Sequence, residues 1–169
     1  MKLDADIGRI YDAHSVRLYN MSLRILGDRS DAEEIMHDTL LKYHGISRKD
    51  DIKDVSKWLS SVCIRKSIDK LRERHRYKNF LERYAEQEGS DETSSEADDE
   101  QLEYSISKIK TAMASLPDQY RLVLTLHLFE GYDYQEISQI TGTKESTVRT
   151  LYMRGRQKLA EMIKGRIYG

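Results

Sequence analysis

Apolar residues recur at intervals of three and four along most of the chain, and no strand-like alternation competes with them, so every predicted element is a helix. Ile7, Ile10, Tyr11, His14, Leu18, Met21, Leu23 and Ile25 keep one stripe, and Gly27-Asp28 stops it. Ser30 or Asp31 can cap a second helix, with Glu33 and Glu34 in its first turn, where the helix dipole favours anions. Ile35, Met36, Leu40 and Tyr43 are its buried side and Gly45 closes it. A third helix begins near Asp54 and buries Val55, Trp58, Leu59, Val62, Ile68 and Leu71.

The pattern stops over Gly89–Glu100, which holds one alanine and no larger apolar residue, so it cannot bury enough surface to offset its ordering entropy. We read about 85–101 as a flexible acidic linker between two modules, residues 1–84 and 102–169. The linker is either a plain spacer or an acidic strand that mimics nucleic acid in a basic channel. Beyond it the periodicity predicts four more helices: Leu102–Ala114; one started by Pro117, which suits a first helical turn, with Leu122, Val123, Leu124, Leu126, Leu128 and Phe129 as its core; Tyr134–Thr141; and Lys144–Lys164.

Composition narrows the classes. In 169 residues, 34% charged and 38% hydrophobic suit thin helical modules better than one thick core, and one proline permits long helices. Nine glycines and two phenylalanines argue against a sandwich or barrel, which needs frequent turn signals. A lone Cys63 excludes an internal disulfide framework or multi-thiolate zinc site. No apolar run approaches the ~18 residues of a membrane span, and the first ten residues lack a signal core, so we expect a soluble, cytoplasmic protein without membrane insertion.

The net charge of −1 conceals segregation. Residues 1–78 hold 17 Lys/Arg against 13 Asp/Glu, residues 79–101 hold 1 against 9, and residues 102–169 hold 10 against 7. Two basic modules flank an acidic segment, a distribution that suggests nucleic-acid contact.

The sharpest motif runs from Tyr134 to Arg149. Ile137 and Ile140 face inward, Gly142 supplies a left-handed residue that lets two helices meet steeply, and Val148 anchors the second helix. Ser146, Thr147, Arg149, Thr150, Met153, Arg154 and Arg156 are then left outside. Hydroxyls and guanidinium groups near a helix N-terminus suit base edges in a major groove, and cations suit phosphates. An ordinary helical hairpin with a solvated basic face is the plainer alternative. The third helix adds Arg65, Lys66, Lys70, Arg72, Arg74, Arg76 and Lys78 behind its apolar stripe, either a solvated face or a second nucleic-acid surface.

These stretches together resemble the extracytoplasmic-function (ECF) class of bacterial RNA polymerase sigma factors in the sigma-seventy family. Asp31-Ala-Glu-Glu-Ile-Met-His-Asp-Thr-Leu-Leu-Lys and Val55-Ser-Lys-Trp-Leu-Ser-Ser-Val through Asp69-Lys-Leu-Arg-Glu-Arg are similar to that family's region two. Leu116-Pro-Asp-Gln-Tyr-Arg-Leu-Val-Leu, Gly131-Tyr-Asp-Tyr-Gln-Glu-Ile-Ser and Ser146-Thr-Val-Arg-Thr through Arg156-Gln-Lys-Leu are similar to region four. The resemblance implies an all-α fold of two bundles, regions two and four, the latter with a helix-turn-helix. It implies a transcription initiation factor that binds core RNA polymerase and directs it to promoter DNA.

By the resemblance, Glu34, His37, Asp38 and Lys42 contact the polymerase. Arg65, Lys66, Asp69, Lys70 and Arg72 lie at the −10 element. The exposed residues of the last helix read the −35 element, and an anti-sigma protein is an expected partner. The family often has Asn where Arg65 stands, Gln where His37 stands and a basic residue where Leu151 stands.

A stand-alone helix-turn-helix regulator is the alternative, separated from a sigma factor by whether the second helix docks on polymerase. An enzyme has only scattered histidines in its favour. His37 and His44 are seven apart, where a two-His metal pair on a helix is normally four apart. No metal, cofactor or catalytic residue is expected, and Cys63 reads as a small core residue.

Overall fold

The computed structural model describes residues 2–84 and 101–168, and every regular element among them is helical. The α-helices are α1 (Lys2–Leu26), α2 (Arg29–His44), α3 (Val55–Tyr84), α4 (Gln101–Ser115), α5 (Asp118–Leu124), α6 (Tyr134–Thr141) and α7 (Glu145–Tyr168), with a short 3-10 turn at Lys49–Asp51 between α2 and α3. The expected linker lies outside the described residues except for Gln101, which begins α4.

The N-terminal bundle is α1, α2 and α3. Leu18, Met21, Ile25, Ile35, Met36, Leu59, Cys63, Ile64, Ile68 and Leu71 form its core. Between α1 and α3 the seam is partly polar. Ser22 and Ser67 share a buried 3.1 Å hydrogen bond, and the Ser67 hydroxyl also donates to the Cys63 carbonyl at 2.8 Å. Small hydroxyls let the two helices approach while keeping their polar atoms paired, as burial demands.

Three local details differ from the sequence reading. The cap of α2 is Asp28, whose Oδ1 accepts the Asp31 N–H at 2.9 Å, not Ser30 or Asp31. Gly27 at φ 67° turns the chain out of α1 so abruptly that the next residue is already positioned to cap. Released from capping, Asp31 takes an ion pair with Arg74 of α3 and lies 3.9 Å from Lys70 Nζ. Secondly, Ile7 and Tyr11 are exposed, in an open groove that they line with Leu40 and Leu41 of α2.

The third difference lies after α5. Thr125–Phe129 is a π-helical turn, closed by the Glu130 N–H on the Thr125 carbonyl at 3.1 Å. The extra residue in that turn rotates the side chains along it relative to a regular helix. Thr125 and Leu126 point into the core, whereas Leu128 and Phe129, expected inside, are about half exposed (52% and 50%). The C-terminal core is instead Met113, Leu116, Val123, Leu124, Leu126, Ile137, Val148 and Tyr152.

Cys63 is fully buried, donates weakly to the Leu18 carbonyl, and burial pushes its thiol up to about 11. At pH 8 such a thiol is about one part in a thousand thiolate. Native protein should therefore resist a thiol-specific reagent at pH 8 and react promptly in urea. Rapid labelling of the native protein would contradict this burial.

Candidate nucleic-acid interface and docking face

The helix-turn-helix forms for local reasons. Asp133 caps α6 by accepting the Glu136 N–H at 2.8 Å, and Gly142 ends it at φ 70°, in the left-handed region. The Ser138 hydroxyl donates to the Thr143 carbonyl at 2.6 Å and ties the turn. Ile137 and Val148 are both fully buried where the two helices meet, with Ile140 partly buried beside them. Tyr152 lies one turn after Val148, inside an aromatic cluster with His127 and Tyr134 at ring distances of 4.7–5.6 Å.

Burying Val148 and Tyr152 dictates what is left outside. Ser146, Thr147, Arg149, Thr150, Met153, Arg154 and Arg156 are all exposed. They differ in how far they are committed. Arg149 Nη2 is 3.0 Å from Glu145 Oε1, and its guanidinium is 5.6 Å from the Tyr134 ring. The Thr150 hydroxyl donates back to the Ser146 carbonyl at 3.0 Å. Arg154 and Arg156 have no ion-pair partner among the described residues, so their guanidinium groups are available to an incoming polyanion.

On α3 the residues expected at the −10 element divide. Arg65, Asp69 and Arg72 are exposed, and Arg72 is 3.6 Å from Asp69. Lys66 and Lys70 are half-buried, and Lys70 Nζ lies 3.6 Å from Glu34 Oε2 and 3.9 Å from Asp31. Arg74 donates to Asp31 and to the Leu26 carbonyl, where it supports the end of α1. Asp31 thus joins α2 to α3 through two cations, a role its sequence position alone did not signal.

On α2, burial of Ala32, Ile35, Met36 and Thr39 turns Glu34, His37, Asp38 and Lys42 to the other side. Glu34, His37 and Lys42 are exposed and Asp38 is half-buried. Leu41, 65% exposed, sits among them as an apolar knob that the sequence reading passed over. His37 approaches Glu33 at 3.7 Å and stacks on Tyr11 at 6.1 Å. An apolar groove lined by Ile7, Ile10, Tyr11, Leu40 and Leu41 continues this face. Among the described residues no group of three His, Cys, Asp or Glu side chains could hold a metal ion, and no helix is long and apolar enough to cross a membrane.

Comparison with protein families matches residues 10–90 to "Sigma-70 region 2" and residues 106–159 to "Sigma-70, region 4". The chain belongs to the sigma-70 family, in its ECF class.

Among curated sigma factors, ECF RNA polymerase sigma factor SigW of Bacillus subtilis is 27% identical over 164 residues, which are 92% of this chain and 87% of that protein. SigE of Mycolicibacterium smegmatis is 27% identical over 154 residues, covering 89% of this chain and 58% of that protein. The fold matches that of the sigma factor RpoE from Bartonella quintana, solved with its anti-sigma factor NepR, at TM-score 0.61 and 19% identity over 94% of this chain and 97% of that one. The N-terminal bundle is thus the sigma factor's region two and the C-terminal bundle its region four.

Two residues of consequence escaped the sequence reading. Arg121 of α5 is 4% exposed and spans the two regions. Burial lowers its basicity, against the opposing pull of Asp118. Gly155 of α7 lies against Tyr120 of α5. An arginine between Tyr120 and Leu122 was the one available sign of the first; nothing in the pattern marked the second.

Proposed function

We propose that this sigma factor binds core RNA polymerase in the cytoplasm and directs it to specific promoters, region two at the −10 element and region four at the −35 element. Residues 1–84 and 102–169 act as the two recognition modules and 85–101 as their tether. RNA synthesis belongs to the polymerase, and no catalytic residue is assigned to this chain. The observation that supports this reading best is the recognition face of α7, with all seven expected residues exposed behind a buried Val148–Tyr152 edge.

The α2 face fits the polymerase contact, with Glu34, His37, Asp38 and Lys42 around the exposed Leu41. At the −10 element, Arg65 and Arg72 offer charge directly to phosphate. Lys66, Asp69 and Lys70 contribute to the same surface, Lys70 partly through its hold on α2. An anti-sigma protein is the expected inhibitor, by analogy with NepR on the Bartonella sigma factor.

Asp38→Lys reverses a charge on the docking face away from Ile35 and Leu40. It should lower affinity for core polymerase about tenfold or more, a typical cost of placing like charge at an interface. Circular dichroism and melting should stay near wild type. A competition assay with core polymerase and a reporter-labelled sigma factor reads this directly. Normal polymerase binding by a folded Asp38→Lys protein, together with promoter binding in the absence of polymerase, would favour the stand-alone regulator.

A further inference from the structure

Helical periodicity sorts the exposed side of α7 into a centre and two edges. At about 100° per residue, Val148 and Tyr152 point into the core, and Ser146, Thr150, Met153 and Gln157 fall on the side directly opposite. All four are exposed. Arg149 and Arg156 lie along one edge of this stripe, and Arg154 lies along the other. Cations on both edges draw a helix into a major groove between its two phosphate walls. The stripe between them then faces the groove floor, where the base edges are.

The middle of that stripe is apolar. Met153 is 60% exposed, and it is the one exposed large apolar residue among the described side chains of α7. Leu151, two positions earlier, packs against the core instead. Thr150 stands three positions before Met153 and is therefore its neighbour on the helix surface. Its hydroxyl proton is already given to the Ser146 carbonyl at 3.0 Å. What Thr150 still offers is a methyl group and a hydroxyl lone pair. Gln157, further along, has its amide 3.4 Å from Glu161 Oε1.

Nothing in the folding of α7 calls for methionine at this place. The side chain is mostly in water, and lysine or glutamine would serve the helix as well. Its value lies in what it meets once the helix is docked. Thymine alone among the four bases carries an apolar group in the major groove, its 5-methyl. An unbranched, polarizable thioether adapts readily to such a small apolar target.

We infer that Met153 reads a thymine of the −35 element through its 5-methyl group, with Thr150 beside it, and so sets specificity at a base position separate from that of Arg154. The inference rests on the promoter-reading role of α7 proposed above and names the base feature that one of its residues selects.

The test uses full-length protein assembled with core polymerase. A duplex library randomised over the −35 element is enriched on the wild-type holoenzyme. Each thymine of the enriched duplex is then replaced in turn by deoxyuridine, which removes the methyl group and nothing else. One such replacement should weaken wild-type binding about fourfold, the worth of one methyl withdrawn from water. Met153→Ala should bind that thymine duplex and its deoxyuridine counterpart alike. Met153→Leu, which keeps an apolar reach, should restore the difference. Circular dichroism and melting of both variants should match wild type, because the side chain is exposed.

Wild-type binding that ignores every deoxyuridine overturns the inference, as does an enriched element with no thymine on either strand. A Met153→Ala protein as sensitive to the methyl group as wild type overturns it too. Failure of the promoter role reads out separately: the wild-type holoenzyme would then enrich no −35 sequence at all, and the inference would fall with it.

Discussion

Replacing Arg154 by alanine should weaken binding to the preferred −35 element by about 1–3 kcal/mol, roughly 5- to 150-fold, and relax discrimination at one base position. Along α7, Thr147, Thr150 and Arg154 share a stripe at helical spacing, and Val148 and Tyr152 hold the opposite edge in the core. Arg149, the other candidate base reader, is drawn toward Glu145 and Tyr134, so part of its charge is already engaged. Arg154 carries no such commitment among the described residues.

Arg156→Ala should behave differently. Two positions further along α7, it should act on phosphate, weaken all sequences alike and reduce the slope of affinity against salt by about one counterion. Titrations of polymerase holoenzyme on promoter and scrambled duplexes at several salt concentrations separate the two. An Arg154→Ala protein with unchanged discrimination would remove that residue from the base-reading face.

Gly155→Val should destabilise region four while leaving region two intact. Gly155 is buried in α7 where it crosses α5, and a Cβ there would stand 3.0 Å from Tyr120 Cβ and 3.4 Å from Leu124 Cδ1. Those neighbours belong to a packed core, so the added atoms must push α7 away or distort α5. Overpacking of this kind costs about 1–3 kcal/mol and more for a branched side chain. Alanine sets the scale: its gain in helix propensity of about 1 kcal/mol offsets much of the cost of the single methyl. Gly155→Ala should thus melt within a few degrees of wild type.

Gly155→Val should lower the melting transition of region four by about 4–10 °C and weaken −35 binding, since a displaced α7 carries the recognition face. Core polymerase binding through α2 should persist. A Gly155→Val protein that melts like wild type would mean that α5 and α7 are not packed this closely.

The readings that held have local causes. Gly142 was legible as the turn of the helix-turn-helix because few other residues accept a left-handed backbone, and Val148 because one apolar residue among Ser, Thr and Arg must be the inward one. Once Val148 is inside, helical periodicity alone places Ser146, Thr147, Arg149, Thr150, Met153, Arg154 and Arg156 outside. The α2 residues came from the resemblance to region two, and the burial of Ile35 and Met36 agrees with the side on which they lie. The readings that failed depended on something outside the segment. Leu128 and Phe129 continue an apolar run that a regular helix would bury, and only the π-helical turn at Thr125–Phe129 turns them to the surface. Ile7 and Tyr11 continue the α1 stripe and meet α2 at an open groove beside Leu40 and Leu41, and a stripe does not reveal whether anything covers it.

The order of charge and apolarity along this chain is enough to determine the seven α-helices among the described residues and their division into two basic groups around an acidic segment. It also identifies the exposed residues of α7, because periodicity is a property of neighbours in sequence. Tertiary structure alone decided the rest. It made Asp31 a link between α2 and α3, brought Gly155 against Tyr120, and buried Arg121 in the carbonyls of a helix about 95 residues earlier in the chain. A guanidinium can be stable out of water only where all its donors meet acceptors. Those acceptors come from backbone carbonyls, which every residue carries and no sequence pattern distinguishes.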